Sequence, residues 1–381
     1  MTTSDRTIST PISVRPPRRS LLSRFLRWEW FLVVLIALVV IANSQLSPYF
    51  LDVRNLFRAS SDFLEIGLMM LPMVLIIVTG NVDLAVASTL GMTASFMGLL
   101  FNNGVNIWIA AGAALVLGLL AGLLSGYLIS RLKVPALVIT LGTYAFYRGL
   151  AYVMLGDQAA RGYPESFTYL GQGTLPGTPI PFALVIFLVL AVVYGLVLHK
   201  TAFGRYLYAI GHNQDGAVYS GIAVPRVKVI IFMASGLMAA LAGLVLAARY
   251  GSTRPDIGTG LELTVITVVV LGGVDINGGK GTMIGAILAL LLIGLLRFGM
   301  GPIEHSRPGA EHRHRHRHPA DPVDLAAQPA ADRARAANHV ESPRPHLDCG
   351  RRRYRDRVWL VLLLVARRRD FIVIRQPRLR G

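Results

Sequence analysis

Long apolar runs separated by short polar breaks govern the first 300 residues of the chain. A helix crosses the roughly 30 Å hydrocarbon core with about 20 mostly apolar residues. Runs of that kind fall at about 29–46, 64–80, 84–102, 106–130, 134–155, 181–198, 228–248, 262–273 and 282–300. The pattern predicts nine spanning helices. The eighth is short, and reads either as a half-helix or as a helix that starts earlier. The expected fold class is an all-α polytopic membrane protein. It divides into a basic segment (1–27), a transmembrane domain (28–301) and a tail of different character (302–381).

Small residues punctuate the helices, most regularly Gly118, Gly122 and Gly126 at four-residue spacing. Such a stripe lets two backbones approach closely where lipid offers no hydrophobic drive between helices. The plainer reading is that glycine is simply common in membrane helices.

Composition agrees with the pattern. Hydrophobic residues make up 53% of the chain and charged residues 15%, with a mean hydropathy of +0.53. Soluble domains carry about 25% charged residues; a chain this poor in charge cannot cover a water-facing surface. The formal charge of +17 is unevenly spread. Residues 1–301 carry 20 Lys and Arg against 12 acids, whereas 302–381 carry 18 arginines, no lysine and nine acids. The lone cysteine, Cys349, builds neither a disulfide framework nor a metal site. The first apolar run is long, and no small-residue cleavage site closes it, so it reads as an anchor rather than a signal peptide.

Arg15, Arg18, Arg19, Arg24 and Arg27 precede the first helix and, by the positive-inside rule, place the N-terminus in the cytoplasm. Alternation then puts the Arg131–Lys133 turn and the 199–228 loop inside, with loops 48–62, 156–180 and 249–261 outside. Arg54, Arg58, Arg249 and Arg254 lie outside against the rule. Trp28 and Trp30 flank the first helix as interfacial anchors.

Two places break the apolar pattern in a similar way. The first is Gly80, Asn81, Val82, Asp83 and Leu84. The second is Gly272, Gly273, Val274, Asp275 and Ile276, followed by Asn277, Gly278, Gly279, Lys280 and Gly281. Each follows a helix predicted to run from outside to inside. An aspartate there suits the free N–H groups and positive end of the next helix, and the glycines allow a sharp reversal. Ordinary capped cytoplasmic turns fit this pattern. So does irregular backbone at depth, which is tolerated only where protein buries it or a wet cavity adjoins it. The glycines at 278–281 lack the GxxxxGK[ST] spacing, and no buried strand precedes them, so they are not read as a nucleotide site. Thr140 and Thr143 are the other polar residues that interrupt a helix on a candidate path. Both can instead hydrogen-bond their own helix.

The 199–228 loop is too polar to span. It is long enough for a short helix with Tyr206, Leu207 and Ile210 on one face. A basic, glycine-punctuated helix under a bundle suits either a soluble partner or lipid headgroups.

At this loop the sequence resembles a known family. Thr201 to Asn213 (TAFGRYLYAIGHN), followed by Tyr219, Ser220, Gly221 and Ile222, is similar to the cytoplasmic loop of permeases in the ribose/xylose/rhamnose branch of bacterial ABC importers. Gly80 to Ser88 (GNVDLAVAS) is similar to the family's G-x-D-L-S-V-G-S element, with Ala87 where glycine is usual. Lys133 to Gly149 and Glu262 to Gly281 (ELTVITVVVLGGVDINGGKG) resemble two further signatures. The stretches SPYFLDVRNL, HKTAFGR and YGSTRPDIG look most like rhamnose permeases and autoinducer-2 import permeases. The resemblance implies a permease subunit in the bacterial inner membrane, with no catalytic residue, metal or cofactor of its own. ATP and Mg would be used on separate ABC ATPase subunits. A second permease copy or homologue would complete the pore, and a periplasmic or lipoprotein sugar-binding protein would deliver the cargo. Nucleic acid is not an expected partner. Gly204, Arg205, Tyr206, Gly211, Asn213 and Gly221 would form the ATPase-coupling loop, and loop 156–180, with Tyr163, Phe167 and Tyr169, would receive the binding protein. Apart from the resemblance, the residues that interrupt helices, Gly80, Asn81, Asp83, Thr140, Thr143, Gly272, Gly273, Asp275, Asn277, Gly278 and Gly279, are the candidates for the translocation path, each with a plain structural alternative.

After Gly301 the resemblance stops, where family members continue into a tenth helix. The tail turns rich in Pro, Arg, His and Ala, with HRHRHRH at 312–318, and its longest apolar stretch, Val358–Ala366, is too short to span. Metal binding by the His tract, a basic arm for nucleic acid or anionic lipid, and a shifted reading frame in a GC-rich gene compete, and the composition break favours the last. Two other functional classes fit less well. An ion-coupled secondary transporter wants ionisable residues in mid-helix, where the apolar runs have almost none. An intramembrane enzyme needs a convergent catalytic set, and the transmembrane domain offers only His199 and His212, both in the predicted cytoplasmic loop.

Overall fold

The computed structural model describes residues 28–46, 50, 52–132 and 134–300. The readings placed on the N-terminal arginines, on Lys133 and on residues 301–381 lie outside these. The elements run α1 (Trp28–Leu46), α2 (Val53–Ser60), α3 (Leu64–Val78), α4 (Val86–Asn102), α5 (Ile107–Leu132), α6 (Ala136–Leu155), β1 (Ala160–Arg161), α7 (Glu165–Gln172) and α8 (Phe182–Lys200). There follow α9 (Ala202–His212), α10 (Gln214–Tyr219), α11 (Val224–Tyr250), β2 (Ser252–Thr253), α12 (Leu261–Leu271) and α13 (Met283–Met300). All nine predicted spans are present as helices. Five of them, α1, α5, α6, α8 and α11, are long and apolar enough to cross a membrane; α3, α4, α12 and α13 are shorter apolar helices. A two-strand antiparallel pair, Ala160 opposite Thr253 and Arg161 opposite Ser252, is the one sheet among the described residues.

The bundle is built around α3. Every one of its residues is buried, as a helix that is apolar all round must be. Fifteen residues rise only about 22 Å, short of the roughly 30 Å core. Helix α12 has 11 residues and rises only about 16 Å, so it is the half-helix of the two readings. Helix α11 starts at Val224, earlier than the apolar run suggested, because Pro225 occupies the first turn, where its missing N–H costs nothing.

Helix α11 lies along α5 through the glycine stripe. Gly118 faces the Gly236 carbonyl, Gly122 faces the Phe232 carbonyl, and Gly126 lies against Val229. A Cβ on Gly126 would meet Val229 Cα at 2.9 Å, and one on Gly236 would meet Gly122 N at 2.8 Å. The stripe is therefore a packing face, in which dispersion between close backbones replaces hydrophobic drive.

Helix α1 is more loosely held. Few of its residues are buried, and it lies along α13. The Trp28 indole donates to the Leu271 carbonyl at 2.7 Å, and Glu29 accepts from the Thr282 hydroxyl at 3.1 Å. Trp28 thus works as a tether to the end of α12 rather than only as an interfacial anchor.

A Gly122→Val substitution drives a side chain into the Phe232 carbonyl. The variant is expected to lose about 1–3 kcal/mol or more, seen as a lower melting temperature of the solubilised protein. Gly112→Ala, whose new methyl meets nothing within 4 Å, should melt like the parent chain.

Candidate functional site

The two helix breaks and the α9–α10 hairpin meet at one end of the bundle. Helix α9 starts at Thr201, whose hydroxyl accepts from the Gly204 N–H at 3.3 Å, and α10 starts at Asn213, whose Oδ1 accepts from Gly216 N–H at 2.9 Å. These are ordinary side-chain caps. The predicted loop thus holds two helices. Gly221, with φ of 82°, turns the chain out of α10. The buried face of α9 is Gly204, Leu207 and Ile210, with Tyr208 half-buried beside them. Tyr206 is 43% exposed. The expected grouping of Tyr206 with Leu207 and Ile210 is therefore corrected: adjacent residues on a helix point about 100° apart. Arg205 and Tyr206 face outward.

Three backbones touch where α9 ends. The Gly279 N–H donates to the Val78 carbonyl at the end of α3, at 2.8 Å. A Cβ on Gly278 would meet Gly80 N at 2.7 Å and Gly211 Cα at 3.0 Å. A Cβ on Gly211 would collide with the Val78 carbonyl oxygen and with Gly279 N. Glycine is needed here by close approach, not by chain statistics. The second break is held from other sides as well. The Tyr208 hydroxyl donates to the Gly281 carbonyl at 2.8 Å, and the Met283 N–H donates to His199 Nε2 at 3.2 Å. Burial pushes the Tyr208 phenol above its ordinary pKa, so it remains a donor at neutral pH.

The aspartates play parallel local roles. Asp83 Oδ1 accepts from the Ala85 N–H at 2.9 Å, and Asp275 Oδ1 accepts from the Asn277 N–H at 3.0 Å. Both are Asx turns, two residues on. Neither aspartate is the N-cap of the following helix: α4 begins after Ala85, and α13 begins eight residues after Asp275. Their surroundings differ. Asp83 is buried and its Oδ2 accepts from the Ser235 hydroxyl of α11 at 2.7 Å. Asp275 is partly exposed, and Asn277 is exposed. Asp83 is thus enclosed by protein, while Asp275 and Asn277 lie towards the surface. Gly272 packs on Ala286 of α13, and Gly273 lies under the Trp28 indole.

Of the remaining path residues, Asn81 is buried and donates to the Thr79 carbonyl at 3.0 Å and hydroxyl at 2.9 Å. Thr143 bonds within its own helix, to the Ile139 and Thr140 carbonyls at 3.1 and 3.2 Å. Thr140 does both, lying 3.3 Å from the Leu137 carbonyl and 3.4 Å from the Val82 carbonyl of the first break. Beside Gly80 and Asn81 opens a cleft of about 820 Å3, bounded by Ser130, Pro135, Gln214 and Lys228. Lys228 donates to Gln214 at 2.9 Å across its mouth. The structure gathers Gly80, Asn81, Gly211, Gly278 and Gly279 in one place; Asp83, Thr140 and Thr143 lie further into the bundle.

The opposite end carries charge. Arg249 at the end of α11 pairs with Asp62, at 2.6 Å, and with Glu65, at 3.0 Å, and its guanidinium stacks on Tyr250 at 4.9 Å. Arg254 pairs with Asp256 at 3.3 Å. Two of the cations that the sequence reading set outside against the positive-inside rule thus have acidic partners. Arg148 of α6 clamps this end: it donates to the Pro255 carbonyl at 2.7 Å, the Ile257 carbonyl at 3.1 Å and the Ala87 carbonyl at 3.2 Å. Such bonds from a charged donor contribute about 1.5–3 kcal/mol each. The expectation for loop 156–180 is partly corrected. Tyr163 and Phe167 are buried, packed on Phe101 and Trp108, and Tyr163 bonds Thr253 at 2.9 Å; Tyr169 alone of the three is exposed.

Sequence reasoning passed over Ser235, Arg148 and Glu65. An arginine within an apolar helix was a usable signal for Arg148. Nothing local marks Ser235, whose partner lies 152 residues away.

Residues 55–306 match the family described as branched-chain amino acid transport system / permease component. The chain is similar to the autoinducer 2 import system permease protein LsrD of Enterobacter sp. (strain 638), 37% identical over 281 residues, covering 72% of this chain and 85% of that protein. It is similar to LsrD of Escherichia coli (strain K12), 39% identical over 279 residues, covering 72% and 84%. LsrD of Klebsiella pneumoniae subsp. pneumoniae is 37% identical over 281 residues, covering 72% and 84%. No solved structure matches.

Ser235→Ala leaves the buried Asp83 carboxyl without one donor. It is expected to cost about 1–3 kcal/mol in thermal unfolding of the solubilised chain. Asp83→Asn can still accept from Ala85 and bond Ser235, so it should cost less.

Proposed function

The chain belongs to the family of transport-system permease components, and from that premise we propose that it is the membrane-embedded permease of an ABC importer for a sugar-like small molecule of the autoinducer-2 kind. The relatives' names supply the cargo class: three LsrD proteins align with this chain over 84–85% of their own length. The family supplies the partners. ATP would be hydrolysed on separate ATPase subunits, a second permease copy or homologue would complete the pore, and an extracytoplasmic binding protein would deliver the cargo. The N-terminus would lie in the cytoplasm, with α9 and α10 on the same side of the inner membrane.

The observation that carries the mechanism is the contact of Gly211 with Val78 and Gly279. Helix α9 exposes Arg205 and Tyr206 outward, while α10 exposes Tyr219, which is 91% accessible. An ATPase docked on that surface pushes on α9. Because packed backbones transmit displacement rather than absorb it, the push reaches the ends of α3 and α12 through the glycine contact. The breaks that follow them, through Gly80, Asn81, Val82 and Ile276, line the cleft beside Asn81, which would be the exit for cargo moving inward. No group here performs chemistry on the cargo; the chain's part is to open and close a path.

Two substitutions test the two steps separately. The double variant Arg205→Ala, Tyr206→Ala should insert and melt like the parent chain, yet lose uptake by about tenfold or more, in the range of coupling free energies. Uptake would be read with labelled autoinducer-2, L-rhamnose and D-ribose in a deletion strain. Gly211→Val should hold the ATPase in pull-down and still fail to transport. Normal uptake by Gly211→Val would remove the proposed route, and absence of uptake of all three solutes by the parent chain would remove the cargo class.

A further inference from the structure

We infer that the charged pocket at the end of the bundle opposite α9 and α10 is a binding site for a neutral, polyhydroxylated small molecule, met before it enters the path. This rests on the import reading above and gives its cargo a place on the chain.

The pocket has a volume of about 220 Å3, below the roughly 300–1,000 Å3 of drug-sized sites. Asp62, Glu65, Arg249, Tyr250, Thr259 and Arg297 line it. They come from the corner before α3, the end of α11, the turn before α12, and α13. A ligand seated there bridges four parts of the chain.

The chemistry selects the ligand. Two carboxylates face two guanidiniums, so an anion or a cation meets a like charge beside each opposite one. A zwitterionic amino acid would compete with pairs already made, since Arg249 is bound to both acids. Hydroxyl groups donate and accept at once, so vicinal hydroxyls satisfy both signs without breaking either pair.

Capacity for such a ligand lies around the buried pair. Glu65 is 2% exposed, and its Oε1 lies 3.0 Å from Arg249 Nε. These two atoms are closed to solvent and held by each other's charge, so they fix the floor of the pocket and a ligand finds its partners in the groups about them. Around them Asp62 is 73% exposed and free to accept further bonds. The Thr259 hydroxyl donates to the Asp256 carbonyl at 2.6 Å, which leaves its oxygen as an acceptor. Arg297 spends one contact, at 3.4 Å, on Thr264.

The test uses the full chain in lipid nanodiscs, with Cys349→Ser removing the native thiol. Leu261→Cys, and separately Tyr250→Cys, line the pocket without being asked for a bond to the ligand, and report it through their labelling rate with a charged maleimide. Asp157→Cys, in a distant exposed turn, is the control. At about ten times the dissociation constant a ligand occupies about nine sites in ten, so labelling should slow about tenfold. That slowing is expected with at least one of D-ribose, L-rhamnose and autoinducer-2 at both pocket positions, and not at the control. L-leucine should not protect, and adding Arg297→Gln should weaken protection. The proposal is overturned if none of the three solutes protects, if Asp157→Cys slows equally, or if L-leucine protects instead. Uptake in cells without protection sinks the pocket and leaves the import reading intact. Protection without uptake leaves the pocket and sinks the reading.

Discussion

A peptide group that leaves a helix inside a lipid bilayer must find its partner in protein, and the rest of this bundle is arranged around that demand. Helices α3 and α12 both stop short of the bilayer's thickness, and each releases backbone groups that other parts of the chain satisfy. The Val78 carbonyl, orphaned at the end of α3, is answered by Gly279 from the other break. The Leu271 carbonyl is answered by Trp28, and the Gly281 carbonyl by Tyr208. Each irregular segment thus satisfies the other or draws on α1 and α9. An arrangement of mutual satisfaction is stiff, because moving one member strips another of its bond. That stiffness is what the proposed coupling from a surface helix to the interior would use.

The two ends of the bundle solve different problems with different chemistry. At the α9 end backbone meets backbone through glycine, where contacts are short and nearly chargeless. At the other end long charged side chains meet carbonyls and carboxylates across pockets. Arg148 ties α6, α4 and the turn before α12 together through three carbonyls, and Arg249 ties α11 to the corner before α3. Backbone packing passes a displacement on; side-chain pairs can exchange partners without repacking the core. The first suits transmission and the second suits recognition.

Hydropathy carried most of the architecture, because lipid imposes a length and an apolar composition that a helix cannot disguise. It located nine apolar helices, five of them long enough to span, and the eighth was already visible as too short. Motif likeness found the loop that became α9 and α10. What it could not show was which face of α9 is buried, since Tyr206, Leu207 and Ile210 are all apolar enough to qualify. That choice is made by Gly204, which fits only against the Leu198 backbone at the end of α8, and by Gly211, which fits only against Val78 and Gly279, far off in the sequence. Ser235 was invisible for the same reason: a serine in a long helix is unremarkable until Asp83 appears opposite it. Similarly, nothing local in the sequence showed that Arg249 is paired with Asp62 and Glu65, which lie far from it along the chain.

The tether of Trp28 to Leu271 sets an order of assembly. The two residues are 243 positions apart, so α1 docks on a helix made long after it. At about 5–20 residues per second, on the order of tens of seconds pass before α12 and α13 exist. Through that interval α1 is a lone anchor in the bilayer, while α3, α4, α5 and α11 can already pack together. The bundle therefore closes from its middle outward, and α1 is the seal applied last. Any chain cut before α12 keeps its first helix in the membrane with no docking place.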